Sequence, residues 1–136
     1  MNESDLKDIL SALRHGINFV ATTTPDDLPA VRPFGPAIEH DGAIYLFTSN
    51  KKSVYAQILN NPTIQIAASL GDSDWFRLTA RAIPAPDPAI LQAFLDDDPG
   101  LAEIASIDDG HSTPLKLEII HAAFITDDQP TRTITP

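Results

Sequence analysis

The chain has 136 residues, 43 % of them hydrophobic and 21 % charged, with no cysteine and a formal net charge of −10. The length suits one domain, 1–136, with a real core; the missing cysteines exclude disulfides, thiolate catalysis and Cys-based metal sites, and the acidity argues against nucleic acid or an anionic membrane as partner. No stretch approaches the ~18 continuous apolar residues of a membrane span, and the start MNESDLKDIL lacks the basic start and apolar run of a signal peptide, so cytoplasmic residence is expected.

Residues 4–16, SDLKDILSALRHG, predict a helix, with Ser4 as N-cap and Asp5 in the first turn. Leu6, Ile9, Leu10 and Leu13 share one face, and Gly16 is the stop. INFVATTT (17–24) is rich in β-branched residues and predicts a strand, closed by the turn residues PDDLP. AVRPFGPAIEH (30–40) predicts a second extended run, in which Pro33 and Pro36 forbid a helix and offer no N–H to a ladder. Asp41-Gly42 is a strong hairpin signal, and AIYLFTS (43–49) is its partner strand.

KKSVYAQILNN (51–61) shifts to a helical period that puts Val54 and Ile58, with Tyr55 and Leu59, on one side; Pro62 is the stop. TIQIAASL (63–70) alternates, with Ile64, Ile66, Ala68 and Leu70 on one face. After a GDSD turn, WFRLTARAI (75–83) sends Phe76, Leu78, Ala80 and Ala82 one way and Trp75, Arg77, Thr79 and Arg81 the other. Residues 84–105 predict one or two short helices, the first opening with Pro88. LKLEIIHAAFI (115–125) predicts a long strand whose alternation slips at Ile119-Ile120, so a bulge or two-sided burial is expected. TRTIT (131–135) predicts a last edge strand. Six to seven short strands with few helices make an all-β protein, a small barrel or sandwich of mostly antiparallel strands.

The charge is uneven. Residues 32–81 hold five cations (Arg32, Lys51, Lys52, Arg77, Arg81) against four anions (Glu39, Asp41, Asp72, Asp74), so the remaining 86 residues carry −11. Arg32 lies on the proline-interrupted strand, where a guanidinium can grip a phosphate with paired hydrogen bonds, and Gly35 lets a ligand approach the backbone. Thr48 and Ser49 end the next strand. Lys51, Lys52 and Ser53 open the helix after it, where free amides favour an anion and the dipole disfavours lysines by ~0.3–1 kcal/mol each. Two lysines in that position call for a compensating anion. The alternative is that both lysines are merely solvated and Arg32 pairs with Glu39.

Other signals are weaker. His15 suits a helix C-terminus, His40 is expected to be exposed, His121 to be a satisfied core residue, and His111, after Asp108-Asp109-Gly110, to line a pocket. No HxH or HExxH spacing marks a metal site, no GxSxG elbow marks a hydrolase, and no GxGxxG or GxxxxGK[ST] marks a nucleotide cradle. Asp96-Asp97-Asp98 is expected to be a solvated helix end. Trp75, Arg77 and Arg81 share a face that turns either to a partner or to water.

The ordered set of VRPFG, the Asp-Gly hairpin and IYLFTSNKKSVYAQILNNP, followed by an alternating strand, resembles the pyridoxamine 5′-phosphate oxidase-related flavoproteins, the FMN-binding split-barrel family. The resemblance covers residues 5–83 and continues loosely to 115–126. It implies a split β-barrel that dimerises, with one FMN per subunit at the subunit interface. Carried over residue by residue, Arg32, Pro33, Phe34 and Gly35 would run along the isoalloxazine to the phosphate. Phe47, Thr48 and Ser49 would touch ring and phosphate, and Lys51, Lys52 and Ser53 would form the basic phosphate loop. The chain ends DDQPTRTITP, without the Trp- and Arg-bearing closing segment of the oxidases proper. In length and layout it is similar to the small nitroimidazole-resistance-like and general-stress-like members. The implied function is FMN-dependent oxidoreduction of an unknown small molecule; the alternative is a non-catalytic flavin- or haem-binding homodimer for storage or sensing.

Overall fold

The structure, a computed structural model, describes residues 1–136. Helix α1 (Glu3–His15) buries Ile9, Ala12 and Leu13. Its cap is Asn2 rather than Ser4: the Asn2 side chain accepts from the Asp5 amide at 2.8 Å, and the Asp5 carboxylate faces the Asn2 amide at 3.5 Å. This capping box satisfies two free amides at once and leaves Ser4 inside the first turn.

Eight strands follow: β1 (Asn18–Thr23), β2 (Pro29–Phe34), β3 (Ile38–His40), β4 (Ala43–Ser49), β5 (Thr63–Gly71), β6 (Asp74–Pro84), β7 (Ser112–Ile125) and β8 (Arg132–Ile134). The count exceeds the expected six to seven because the run 30–40 is two strands, broken at Gly35-Pro36-Ala37. All the pairings are antiparallel, in the order β2-β1-β5-β6-β7-β4-β3, with β8 on β7. The two strands at the ends of that order, β2 and β3, are joined by only three residues. Three residues reach on the order of 10 Å, so the sheet must curl until its unpaired edges meet. That is a split barrel, and the ring lacking an N–H at Pro33 is tolerated because β2 is an edge.

The interior is filled by the alternating residues expected from the sequence, including Ile64, Ile66, Phe76, Leu78, Ala80 and Ala82, together with Leu13 of α1 and Val54 and Ile58 of α2 (Ser53–Asn60). Leu59 is the exception, 61 % exposed on the outer side of α2. Helix α3 (Pro88–Asp97), capped by Asp87 with Pro88 in the first turn, packs Ile90 and Phe94 on Ile38 and Tyr45 outside the barrel. A short 3-10 helix follows (Pro99–Glu103). Asp41 and Gly42, both at positive φ (49° and 81°), make the tight hairpin turn between β3 and β4.

Strand β7 contains the expected slip. Thr79 faces His121 while Ala80 faces Ile119, which leaves Ile120 as the extra residue of a bulge. The strand starts three residues earlier than expected, at Ser112. His121 is not a core residue: beside the bulge it lies half-buried, with Nδ1 3.1 Å from the Thr135 hydroxyl. No helix is long and apolar enough to cross a membrane.

Candidate functional site

The site is built where β4 hands over to α2. Alternation along β4 puts Thr48 on the side of Ile44 and Leu46, facing the core, and Ser49 on the side of Tyr45 and Phe47. Thr48 is 2 % exposed and its hydroxyl has no hydrogen-bond partner. Buried hydroxyls are nearly always bonded, so this one is an open valence. The chain then turns through Asn50, Lys51 and Lys52. The Lys52 amide donates to the Ser49 carbonyl at 3.1 Å, and the Lys51 amide to the Ser49 hydroxyl at 3.2 Å.

Lys52 is the N-cap of α2 and provides no side-chain cap bond. A lysine has no acceptor to give, so the cap leaves the first amides of the helix without the usual Ser, Thr, Asp or Asn partner. The side chains of Lys51, Lys52 and Ser53 are exposed. The ion pairs of the molecule involve Arg14, His40, Arg81, His111 and Arg132; none engages Arg32, Lys51 or Lys52.

Arg32 comes to the same helix from the other side. Register pairs it with Val20 on β1. Its Nη1 donates to the Val20 carbonyl (3.2 Å), the Thr22 hydroxyl (2.8 Å) and the Ala30 carbonyl (3.2 Å), and its Nη2 to Oε1 of Gln57 (2.7 Å). Gln57 also accepts from the Thr22 hydroxyl at 2.6 Å. Every acceptor is neutral, while burial works against the charge and lowers the guanidinium below its ordinary value. Gln57 and Ser53 are four residues apart on α2, so they share a face one turn, about 6 Å, apart. The alternative pairing with Glu39 is absent: that carboxylate accepts the Gly42 amide at 2.8 Å and closes the hairpin.

The remaining predicted residues divide between faces. Phe34 packs against the main core, whereas Pro33 lies exposed on the opposite face of β2. Gly35 is exposed, with open space where a side chain would stand. Phe47 turns toward α3, its ring 5.5 Å from that of Phe94. Trp75 and Arg77 lie on the outer face of β6, the guanidinium 5.5 Å from the indole ring centre, and Arg81 pairs with Glu118 at 3.6 Å.

A second group, not assembled by the sequence reading, closes over the strand end. Ser49 lies opposite Ser112, and the Asn50 amide donates to the His111 carbonyl at 2.9 Å. Asp109 accepts from the amides of Ser106, His111 and Ser112 and from the Ser112 hydroxyl. Burial opposes the Asp109 charge, but these bonds, the Ser112 hydroxyl foremost, outweigh it and hold the carboxyl well below its usual range. His111 lies between this carboxylate (Nε2 to Oδ2, 3.2 Å) and the Ser49 hydroxyl (Nδ1 to Oγ, 3.2 Å). As expected, His111 lines a pocket, with Ala102, Ile104, Ala105, Ser106 and Asp109. Thr22, Gln57 and Asp109 are contributors that the sequence reading missed; only the Asp-Gly turn before His111 hinted at one of them.

No protein-family model and no curated protein matches the chain. Solved structures do. A NimC/NimA family protein from Clostridium acetobutylicum superposes with a TM-score of 0.87 at 26 % identity, over 96 % of this chain and 94 % of that one. A protein related to general stress protein 26 of Bacillus subtilis (pyridoxinephosphate oxidase family), also from Clostridium acetobutylicum, gives 0.73 at 17 % identity, over 99 % and 96 %. A haem-binding protein from Mycobacterium smegmatis gives 0.76 at 14 % identity; this chain is covered over 99 % and spans 59 % of that one. The chain has the split-barrel fold of the pyridoxamine 5′-phosphate oxidase-related proteins, and its structural neighbours include members of the family that its sequence resembles.

Proposed function

We propose that the chain is an FMN-binding flavoprotein, a cytoplasmic oxidoreductase acting on a small molecule. The observation that carries this reading is the junction of β4 and α2: a helix start capped by a lysine, flanked by cations without carboxylate partners, beside a buried Thr48 hydroxyl without a partner. A phosphate satisfies all three at once, since it accepts from helix amides, ammonium groups and hydroxyls alike. Thr48, Ser49, Lys51, Lys52 and Ser53 would hold it directly. Arg32, one helical turn away beside Gln57, would add its charge and its remaining donors. Pro33 and Gly35, both exposed, would border the ring.

The outer face of β1, β2 and β5 suits a second copy of the chain. Phe19 (48 % exposed) and Val31 (67 % exposed) lie there with Pro33 and Ala67, and no charged side chain interrupts them. A homodimer would cover this face and bury the flavin ring at its edge. Bound flavin supplies hydride or electron transfer; the protein binds, orients and excludes water.

The absorption spectrum of the purified protein tests the reading, followed by reconstitution with FMN and riboflavin. FMN should bind more tightly than riboflavin, and Arg32→Ala should remove most of that difference. Protein that stays colourless after reconstitution overturns it. A second reading, non-catalytic haem or flavin binding, draws support from the similarity to the haem-binding protein. It predicts cofactor uptake without turnover by reduced nicotinamide nucleotides.

A further inference from the structure

We propose that His111 is a positioning residue of the anion site, setting through its protonation whether the Ser49 hydroxyl can donate to a bound phosphate. The inference rests on the flavin-phosphate reading above and adds to it a residue and a pH dependence.

The Ser49 hydroxyl has one proton and two lone pairs. One lone pair already accepts from the Lys51 amide at 3.2 Å. The other contact is His111 Nδ1, also at 3.2 Å. When the imidazole is neutral with its proton on Nε2, toward Asp109, Nδ1 is an acceptor. Ser49 then spends its only proton on the ring and has none for an anion. When the imidazole is protonated, Nδ1–H donates to Ser49. Both lone pairs are then filled, and the Ser49 proton is released to point at a phosphate.

Asp109 makes the first state well defined. Its carboxylate is fixed by four donors, and its negative charge 3.2 Å from Nε2 favours the tautomer with the proton there. Asp109 is the titratable group facing the ring from its own loop. From β4 and the following turn the ring meets Ser49, with Lys51 reaching the same oxygen through its backbone. From the 3-10 helix and the residues after it the lining is Ala102, Ile104 and Ala105, none titratable. Independently of this cluster, the neighbouring Thr48 hydroxyl is buried and unpartnered, which marks the strand end as a place awaiting an acceptor.

The sign follows. Protonated His111 strengthens anion binding, so FMN affinity is higher while the imidazole carries its second proton and declines as rising pH removes it. One donor lost to a charged acceptor amounts to roughly tenfold in affinity. The FMN phosphate gains its second charge over a similar range and works the other way, so the informative quantity is the ratio of native to variant.

FMN and riboflavin affinities of the full chain are measured by fluorescence quenching from pH 5.5 to 8.5, for the native protein, His111→Asn and Ser49→Ala. The expected ratio of native to Ser49→Ala affinity for FMN is roughly tenfold at the acid end and near unity at the alkaline end, with riboflavin flat throughout, and the ratio of His111→Asn to Ser49→Ala should not change with pH. A flat ratio with tight FMN binding overturns the inference and leaves the flavin reading standing. Equal affinity for FMN and riboflavin overturns the phosphate contact itself. A second probe does not need flavin: saturating sulfate, which does not titrate here, should shift the His111 ring titration by NMR toward higher pH in the native chain and not in Ser49→Ala. A His111 curve that sulfate leaves unmoved overturns the inference even where no flavin binds.

Discussion

The Arg32 guanidinium lies 2.7 Å from the Gln57 side-chain oxygen, and so ties an edge strand of the sheet to the helix that opens with the unpartnered lysines. The contact turns a sequence separation of 25 residues into one side of a single site. The hub of that tie is Thr22, 3 % exposed, which accepts from Arg32 and donates to Gln57.

Thr22→Val should therefore cost about 1 kcal/mol of stability, because it removes two hydrogen bonds while Arg32 keeps the Val20 and Ala30 carbonyls and Gln57 keeps the guanidinium. Urea denaturation with an unchanged m-value checks this. A loss under 0.5 kcal/mol would mean that water replaces the hydroxyl freely.

Lys51→Ala and Lys52→Ala together should act with opposite signs on two measurements. Removing both charges from the start of α2 relieves the dipole conflict and should stabilise the ligand-free protein by about 0.3–1 kcal/mol per lysine, read as a slightly higher melting temperature. The same change should weaken FMN binding while leaving riboflavin binding nearly unaltered. Destabilisation of the ligand-free protein would show that the lysines have partners other than an anion.

Val31→Asp places a charge in the centre of the exposed apolar face of β2. The monomer should fold normally, since that side chain touches water. Sedimentation should show loss of the proposed dimer, and flavin affinity should fall with it if the ring lies at the interface. A variant that stays dimeric locates the interface elsewhere.

Acid should open the loop at Asp109 late. The folded carboxyl is held below its ordinary value of 3.8, so its contribution to stability is complete above that value and fades only as pH falls well beneath it. Amide exchange at Ser106, His111 and Ser112 should stay slow at pH 4. In Asp109→Asn, which keeps one acceptor oxygen for the His111 and Ser112 amides and loses the one facing Ser106, the Ser106 amide should exchange quickly across the whole range.

Much of the barrel was legible because its signals are local. Asp41-Gly42 states its turn through two positive φ angles, and the slip at Ile119-Ile120 shows as a broken alternation that can only be a bulge or two-sided burial. The β5 and β6 faces followed from period alone. What escaped depended on distance in sequence. Asn2 outcompeted Ser4 because Asp5 completes its box, and Leu59 faces outward because the narrow α2 contact takes only Val54 and Ile58. Arg32 was expected to point at a ligand, but Thr22 and Gln57 also claim it, and no local pattern names them. The Ser49–His111–Asp109 arrangement spans 62 residues and exists only because β7 begins beside the end of β4.

That shared strand has a mechanical consequence. β7 pairs with β4 through its first half, with β6 along most of its length and with β8 near its end. It is the seam between the two portions of the wall, and a tear along those fourteen residues would part β3 and β4 from β6, β5, β1 and β2.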